Sequence, residues 1–262
     1  MNVLAAEWLK FRTLRSTLWA LAASVGCALV LTVSTGVTSL SRLDAGHSAD
    51  QAGLRVWAVV FVGVMLSALL IGMLGVITMT GEHASGMISL TYTAIPSRRG
   101  VLLAKVVVLA GVALTAFVLI GAIGYLYGRL VAAPFHPSFL PTGAWQRIGA
   151  AALMLLMTAL VGLALGALLR SGAVAAVVLI AIVFVLPVIL MGIPGGSDVG
   201  RFLPLVAGMQ LLDQSPQEYM PTGAAFAVLA AWATVPIGTV LAITPGPWRH
   251  RATGPEALES GR

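Results

Sequence analysis

A short charged and turn-rich segment, residues 81–105, separates two long apolar stretches of this sequence. Hydrocarbon disfavours both charge and irregular backbone, so the segment has to lie in water or against another protein. A rigid element of this kind suits docking of an aqueous partner, although a merely solvated loop with topogenic arginines fits the spacing equally well. The residues predicted to form it are Gly81, Glu82, Gly86, Pro96, Arg98 and Arg99, followed by Lys105.

The rest of the sequence offers no recognisable catalytic motif. It contains no Gly-x-x-x-x-Gly-Lys-Ser/Thr phosphate loop, no His-Glu-x-x-His motif and no Cys-x-x-Cys pair. No Asp or Glu lies in the middle of an apolar stretch, which argues against a carrier driven by buried carboxylates. The single cysteine, Cys27, cannot form an intrachain disulfide. We therefore expect a chain that is not an enzyme and binds no metal.

Composition places the protein in a membrane. Hydrophobic residues make up 59% of the 262 residues and charged residues only 9%, whereas roughly 25% is typical of soluble proteins. The net charge of +6 comes from basic residues that flank apolar segments. That distribution indicates contact with lipid headgroups and no nucleic-acid partner.

Six apolar segments are long enough to cross hydrocarbon, which takes roughly 20 helical residues. Alternating strand patterns are absent, so the fold class is an all-α polytopic membrane protein with a transmembrane domain over residues 18–245. Proline should kink or shorten the fifth and sixth segments. The predicted spans are 18–40, 56–80, 106–127, 148–169, 173–193 and 224–243.

The basic residues predict the orientation of the spans. With the N-terminus inside, ten basic residues fall on the cytoplasmic side and five outside. This bias places both termini in the cytoplasm. The inner set is Lys10, Arg12, Arg15, Arg98, Arg99, Lys105, Arg170, Arg249, Arg251 and Arg262; the outer set is Arg42, Arg55, Arg129, Arg147 and Arg201.

Three further elements are predicted outside the spans. Within residues 1–17, helical spacing places Leu4, Trp8 and Phe11 on one side of an interfacial helix over 2–15, and Glu7, Lys10 and Arg15 largely on the other, with Arg12 adding a further cation. An ordinary positively charged N-terminal region is the alternative. Residues 202–212, inside the 194–223 loop, predict a short amphipathic helix that lies on the outer face or dips into it, or else a plain loop. The tail over 246–262 is predicted to be disordered.

Two motifs resemble those of ABC-2 type transporter permeases. The order Gly81-Glu82-x-Ala84-Ser85-Gly86-x-Ile88, then Ile95-Pro96-x-Arg98-Arg99, then Leu103-x-Lys105, is similar to the pattern between their second and third spans. The opening Glu7-Trp8-x-Lys10-x-Arg12-x-x-Arg15-Ser16-Thr17 resembles the start of actinobacterial members. The resemblance covers the six-span layout, while its specific motifs occupy only about forty residues.

The resemblance implies the membrane subunit of an ATP-driven exporter in a bacterial plasma membrane. It further implies a second permease copy and a separate ATP-binding subunit that holds ATP and magnesium. The segment from Gly81 to Arg99 and the N-terminal helix would contact that subunit, and the element between the fifth and sixth spans would be partly embedded. The absence of midplane charge favours a hydrophobic or amphipathic cargo. The alternative is a six-span scaffold or sensor that uses the same segment to hold a cytoplasmic partner.

Overall fold

The protein is described by a computed structural model that covers residues 3–13, 15–40, 49–87, 98–131, 144–212 and 220–244. The described residues form helices and turns and contain no strand, which confirms the all-helical prediction. The helices are α1 (Val3–Thr13), α2 (Arg15–Leu40), α3 (Ala49–Ala84), α4 (Arg98–Val131), α5 (Ala144–Leu169), α6 (Gly172–Met191), α7 (Ser197–Gly200), α8 (Pro204–Leu211) and α9 (Thr222–Ile243).

Within the described ranges, five helices are long and apolar enough to cross a membrane. They are Gly63–Ala84 of α3, Arg98–Leu126 of α4, Trp145–Leu169 of α5, α6 and α9. A bend of 65° separates α1 from the Leu18–Leu31 part of α2, and the two pass the same test only together. The chain is therefore a polytopic helical membrane protein. The tail over 246–262 lies outside the described residues.

Helices α3 and α5 pack backbone against backbone at the centre of the protein. A Cβ atom placed on Gly75 would lie 2.3 Å from the Ala159 carbonyl oxygen, and one on Gly162 would lie 2.1 Å from the Gly72 carbonyl oxygen. Only glycine allows this approach. The two helices are the most deeply buried of the five spans, and the others surround them.

Helix α2 packs on the other side of α3 through small side chains. Ala28 is completely buried and contacts the position where Gly63 would carry a Cβ atom. About one helical turn further along α3, the Ser67 hydroxyl donates a hydrogen bond to the Ser24 carbonyl oxygen of α2 at 3.1 Å. Small residues thus bring α2, α3 and α5 into one compact layer.

Helices α5 and α6 form a tight hairpin, as the sequence predicts. The turn consists of Arg170 and Ser171, and Arg170 has φ = 54°, in the left-handed region. Its N–H donates a hydrogen bond to the Gly166 carbonyl oxygen. A side chain at this C-terminal helix position costs energy that glycine avoids.

Replacing Arg170 with glycine is therefore expected to stabilise the folded protein by about 1 kcal/mol, because glycine adopts this backbone conformation without a Cβ clash. Thermal unfolding in detergent measures the effect. Ser171→Gly is the control: Ser171 has φ = −114°, so this change should not stabilise. A drop in melting temperature for Arg170→Gly would contradict the prediction.

The prolines of α6 and α9 are accommodated differently. In α6, a π-helical turn at Ala181–Val185 precedes Pro187, and the Leu186 N–H donates to the Ala181 carbonyl oxygen. A proline removes one backbone donor, and a π-turn shifts the helical register to absorb such a gap. Regular α-helix in this span thus breaks at 181, as predicted. Helix α9 continues through Pro236 to Ile243.

The segment between α6 and α9 is helical where it is described. The predicted amphipathic helix over 202–212 corresponds to α8, which begins at Pro204 and is buried on most sides by α5, α6 and α9. The structure thus has a helix packed among its neighbours, and not one that lies on the surface. Gly208 lies against Met154 of α5. Met154 is nine residues after Trp145, so at a rise of about 1.5 Å per residue it lies about 14 Å further along the helix. The Trp232 indole N–H donates to the Phe202 carbonyl oxygen.

Several helix ends meet at one end of the bundle. Thr80 near the end of α3 contacts Gly172 at the start of α6, and Arg99 of α4 donates to the Thr244 carbonyl oxygen after α9. From Lys105 to Tyr125, α4 rises about 30 Å, which matches the hydrocarbon thickness of a bilayer. The span ends that the sequence predicts to be cytoplasmic thus lie together at one end of the bundle. The candidate site lies at this end.

Candidate functional site at the junction of α1, α3 and α4

Four charged side chains from three helices form a closed ring at this end. Glu7 and Lys10 come from α1, Glu82 from the last turn of α3, and Lys105 from the third turn of α4. Lys10 and Lys105 are the only lysines in the chain. We call these four residues the ionic ring.

Each carboxylate of the ionic ring contacts both ammonium groups. The Lys105 Nζ atom lies 2.7 Å from Glu7 Oε2 and 2.7 Å from Glu82 Oε1. The Lys10 Nζ atom lies 2.9 Å from Glu7 Oε1 and 3.2 Å from Glu82 Oε1. Charges of opposite sign therefore alternate around the ring, and their sum is zero.

The ionic ring is largely withdrawn from solvent. Side-chain exposure is 5% for Glu7, 7% for Lys105, 12% for Glu82 and 30% for Lys10. Charges so buried persist only when they are paired. A lysine suits this position because its ammonium group is a compact charge with three donors that two carboxylates can share. The ring therefore joins α1, α3 and α4 into one unit.

Lys10 is the member of the ring closest to solvent. Burial lowers its pKa, but the hydrogen bond to Glu7 and the negative charges of Glu82 and Glu7 outweigh burial, so its pKa is raised. A raised pKa in the folded state means that the stabilisation is complete below the ordinary lysine pKa and lost as pH rises through the folded value. Lys10 therefore keeps its full contribution at neutral pH.

The chain turns sharply just after Glu82. The Ser85 N–H and hydroxyl both bond to the Gly81 carbonyl oxygen, at 3.0 and 2.8 Å. Gly86 follows with φ = 70°, as expected of a turn glycine, and its N–H donates to the His83 carbonyl oxygen. This turn ends α3 and fixes the direction of the chain beside the ring.

Replacing Gly86 with alanine is expected to destabilise the protein by about 1–2 kcal/mol, because a Cβ atom is strained at this backbone angle. Gly81→Ala is the matched control: Gly81 is helical and has open space around it. That change should be neutral or slightly stabilising. Chemical unfolding in detergent compares the two, and equal stabilities would show that the turn tolerates a side chain.

A cleft of about 420 Å³ opens beside the ionic ring. All four ring residues line it, together with apolar side chains of α1, α3 and α4. Among the described residues, no three His, Cys, Asp or Glu side chains form a group that could hold a metal ion. The cleft thus places four paired charges beside an apolar wall.

The predicted segment 81–105 divides into three parts. Gly81 and Glu82 belong to α3, and Glu82 points into the ring, whereas the sequence interpretation offered it to a partner. Arg98 and Arg99 begin α4, which starts eight residues before the predicted span. Arg99 is exposed and bonds to the end of α9. Pro96 lies outside the described residues.

The predicted N-terminal helix is present as α1, but its polar side is turned inward. Glu7 and Phe11 are its buried residues, while Trp8 and Arg12 are exposed. Glu7 lies on the side opposite Trp8, as the spacing predicts, but that side meets protein, where Lys105 and Lys10 compensate its charge. Arg15 is the first residue of α2.

Reasoning from the sequence missed the ionic ring itself. It placed Lys105 among the basic residues that set the orientation, and Glu7 on the polar side of the predicted interfacial helix. One signal was available: lysine occurs only twice in an arginine-rich chain, and both lysines are predicted to lie at the same ends of the spans as Glu7 and Glu82. No model of a known protein family matches the sequence, and no curated protein matches it.

Proposed function

We propose that this chain is the permease subunit of an ATP-driven exporter, of the ABC-2 type, and that a separate subunit binds ATP. The observation that carries the proposal is the ionic ring. It joins α1, the end of α3 and the start of α4, the elements that the resemblance assigns to contact with the ATP-binding subunit. A push on any one of these helices moves the other two as a rigid body.

The proposed subunit has six spans, with α2 as the first and α1 as an interfacial helix bent away from it. Both termini face the cytoplasm of a bacterial cell, and a second permease copy completes the pathway. Exposed Trp8 and Arg12 suit the headgroup level beside that face. The contact of α8 with Met154 supports a partly embedded outer element. A hydrophobic or amphipathic compound is the proposed cargo.

Cysteine protection tests the docking face. In a Cys27→Ala background, Ser85→Cys places a thiol in the exposed turn after α3, and Trp145→Cys places one on the exposed surface at the other end. A membrane-impermeant maleimide should label Ser85→Cys only from the cytoplasmic side. Bound ATP-binding subunit should protect Ser85→Cys and leave Trp145→Cys reactive.

Co-expression with the ATPase of a neighbouring gene tests transport itself. The complex should co-purify, and in proteoliposomes it should move a fluorescent amphiphile only with ATP. Recovery of a partner that is not an ATPase, without ATP-driven movement, would favour the scaffold or sensor alternative. Labelling of Ser85→Cys from outside the cell would overturn the orientation.

A further inference from the structure

Arg201 lies in the short connection between α7 and α8, within the length of the spans and not beyond it. The Trp232 indole N–H donates to the carbonyl oxygen of the next residue, Phe202. Trp232 is ten residues after Thr222, so at about 1.5 Å per residue it lies about 15 Å along α9 from its first residue. On its other side the connection packs against the last turn of α6. Arg201 is therefore a cation at the depth of the apolar spans.

No anionic side chain among the described residues compensates this cation. All four salt bridges between described residues belong to the ionic ring, and Asp198, three residues before Arg201, is exposed and makes none. The Arg201 Nε atom is buried and has no hydrogen-bond partner. Its guanidinium carbon lies 5.0 Å from the centroid of the Phe202 ring. A cation–π contact offsets only part of the cost of a charge at membrane depth, so Arg201 favours an added anion.

The surface next to Arg201 is apolar and exposed. Val199 is 62% exposed and Phe202 is 53% exposed. The two belong to one turn, because the Phe202 N–H donates to the Val199 carbonyl oxygen at 3.1 Å. Water disfavours such neighbouring apolar side chains, whereas acyl chains cover them at no cost. An anion that reaches Arg201 along this surface therefore has to be carried on an apolar body.

We propose that Arg201 binds the anionic group of an amphiphile whose apolar body lies along Val199 and Phe202. Arginine suits this role because its planar guanidinium presents parallel N–H donors that match the oxygens of a phosphate or carboxylate. An anionic phospholipid and a free anionic amphiphile share this chemistry. The inference stands on Arg201 and its surroundings and does not depend on ATP-driven transport.

Lipid retention tests the charge of Arg201. The full-length protein is released from nanodiscs that hold equal phosphatidylglycerol and phosphatidylcholine with the same acyl chains, and native mass spectrometry counts the lipids it keeps. Arg201→Gln should bind phosphatidylglycerol about tenfold more weakly at this site, as the loss of a charge-assisted hydrogen bond would give, and so keep one such lipid fewer. Arg201→Lys is the matched control and should retain more than Arg201→Gln, because it keeps the charge.

Variants that keep the charge locate the apolar body of the ligand. Phe202→Ala removes the exposed ring beside the guanidinium and should weaken retention severalfold. Val235→Ala shortens an equally exposed side chain of α9 and should leave retention unchanged. This pair also tests the site if Arg201→Gln fails to fold. Equal retention by Phe202→Ala and Val235→Ala would place the ligand elsewhere and refute the site.

A matched pair of free amphiphiles distinguishes the two sources of the anion. Decyl phosphate and decanol share one chain, and only the first is charged. Retention of phosphatidylglycerol that depends on Arg201 identifies a lipid ligand. Saturable binding of decyl phosphate but not decanol, lost in Arg201→Gln and without such retention, identifies a free amphiphile, and either result supports the site. If neither phosphatidylglycerol nor decyl phosphate depended on Arg201, its charge would be compensated within the chain and the proposal would be overturned.

Discussion

Replacing Lys105 with methionine is expected to destabilise the folded protein by about 3–5 kcal/mol, the range seen when one partner of a buried ion pair is removed. Methionine fills much of the same space, so the loss is mainly electrostatic. The carboxylates of Glu7 and Glu82 would then share Lys10 alone, in a site that excludes most water. Unfolding in mixed detergent and denaturant, followed by circular dichroism, measures the change.

Two further variants separate the charge effect from lost packing. Adding Glu82→Gln to Lys105→Met restores a neutral site, so the double variant should be more stable than Lys105→Met alone by about 1 kcal/mol or more. Arg12→Met removes an exposed cation from α1 and should change stability by no more than about 0.5 kcal/mol. If Lys105→Met unfolded like the wild type, the ionic ring would not hold these helices together.

The sequence predicts the helical class because hydrocarbon leaves few alternatives. Five of the six predicted segments fall within helices, and the fifth, 173–193, extends two residues beyond the end of α6. The short turn at Arg170 and Ser171 follows from two apolar segments with no room between them. Helix ends are harder to predict. Helix α3 extends to Ala84 and α4 begins at Arg98, because a span predicted from its apolar length ends at the first charges, whereas Glu, Lys and Arg have good helix propensity and continue the helix.

The candidate site depends on contacts between distant segments, which the sequence alone does not reveal. Spacing on α1 correctly separates Glu7 from Trp8, but it does not say which side meets protein and which meets lipid. Only the packing of α1 against α4 shows that Glu7 faces inward. The same holds for α8, whose pattern fits a helix that lies on the surface or dips in, and only its neighbours α5, α6 and α9 show that it is buried.

The sequence also does not show which glycines lie at a close helix contact. With 29 glycines in the chain, the spacings Gly162-x-x-x-Gly166 and Gly124-x-x-x-Gly128 both permit close helix contact. The structure shows such a contact for the first: Gly162 meets the backbone of α3, and a Cβ atom on Gly166 would lie 2.9 Å from the Val76 carbonyl oxygen. Which of the two glycine spacings forms a close contact depends on which helices become neighbours.

Replacing Gly162 with alanine is accordingly expected to cost about 3 kcal/mol, at the upper end of the usual range for overpacking. The added Cβ atom would lie 2.1 Å from the Gly72 carbonyl oxygen. That oxygen belongs to the backbone of α3, so no side chain can rotate away, and the two central helices have to separate. Separation would also loosen the α2 contact at Ser67 and Gly63, since α3 carries both.

Gly111→Ala is the matched control, because Gly111 lies in the helical part of α4 with no atom within 4 Å of the added Cβ. It should be neutral or stabilise by up to about 1 kcal/mol, the helix propensity difference between the two residues. Thermal unfolding in one detergent compares both variants with the wild type. Equal stability of Gly162→Ala and Gly111→Ala would mean that α3 and α5 do not meet at their backbones, and the central layer of the fold would have to be arranged differently.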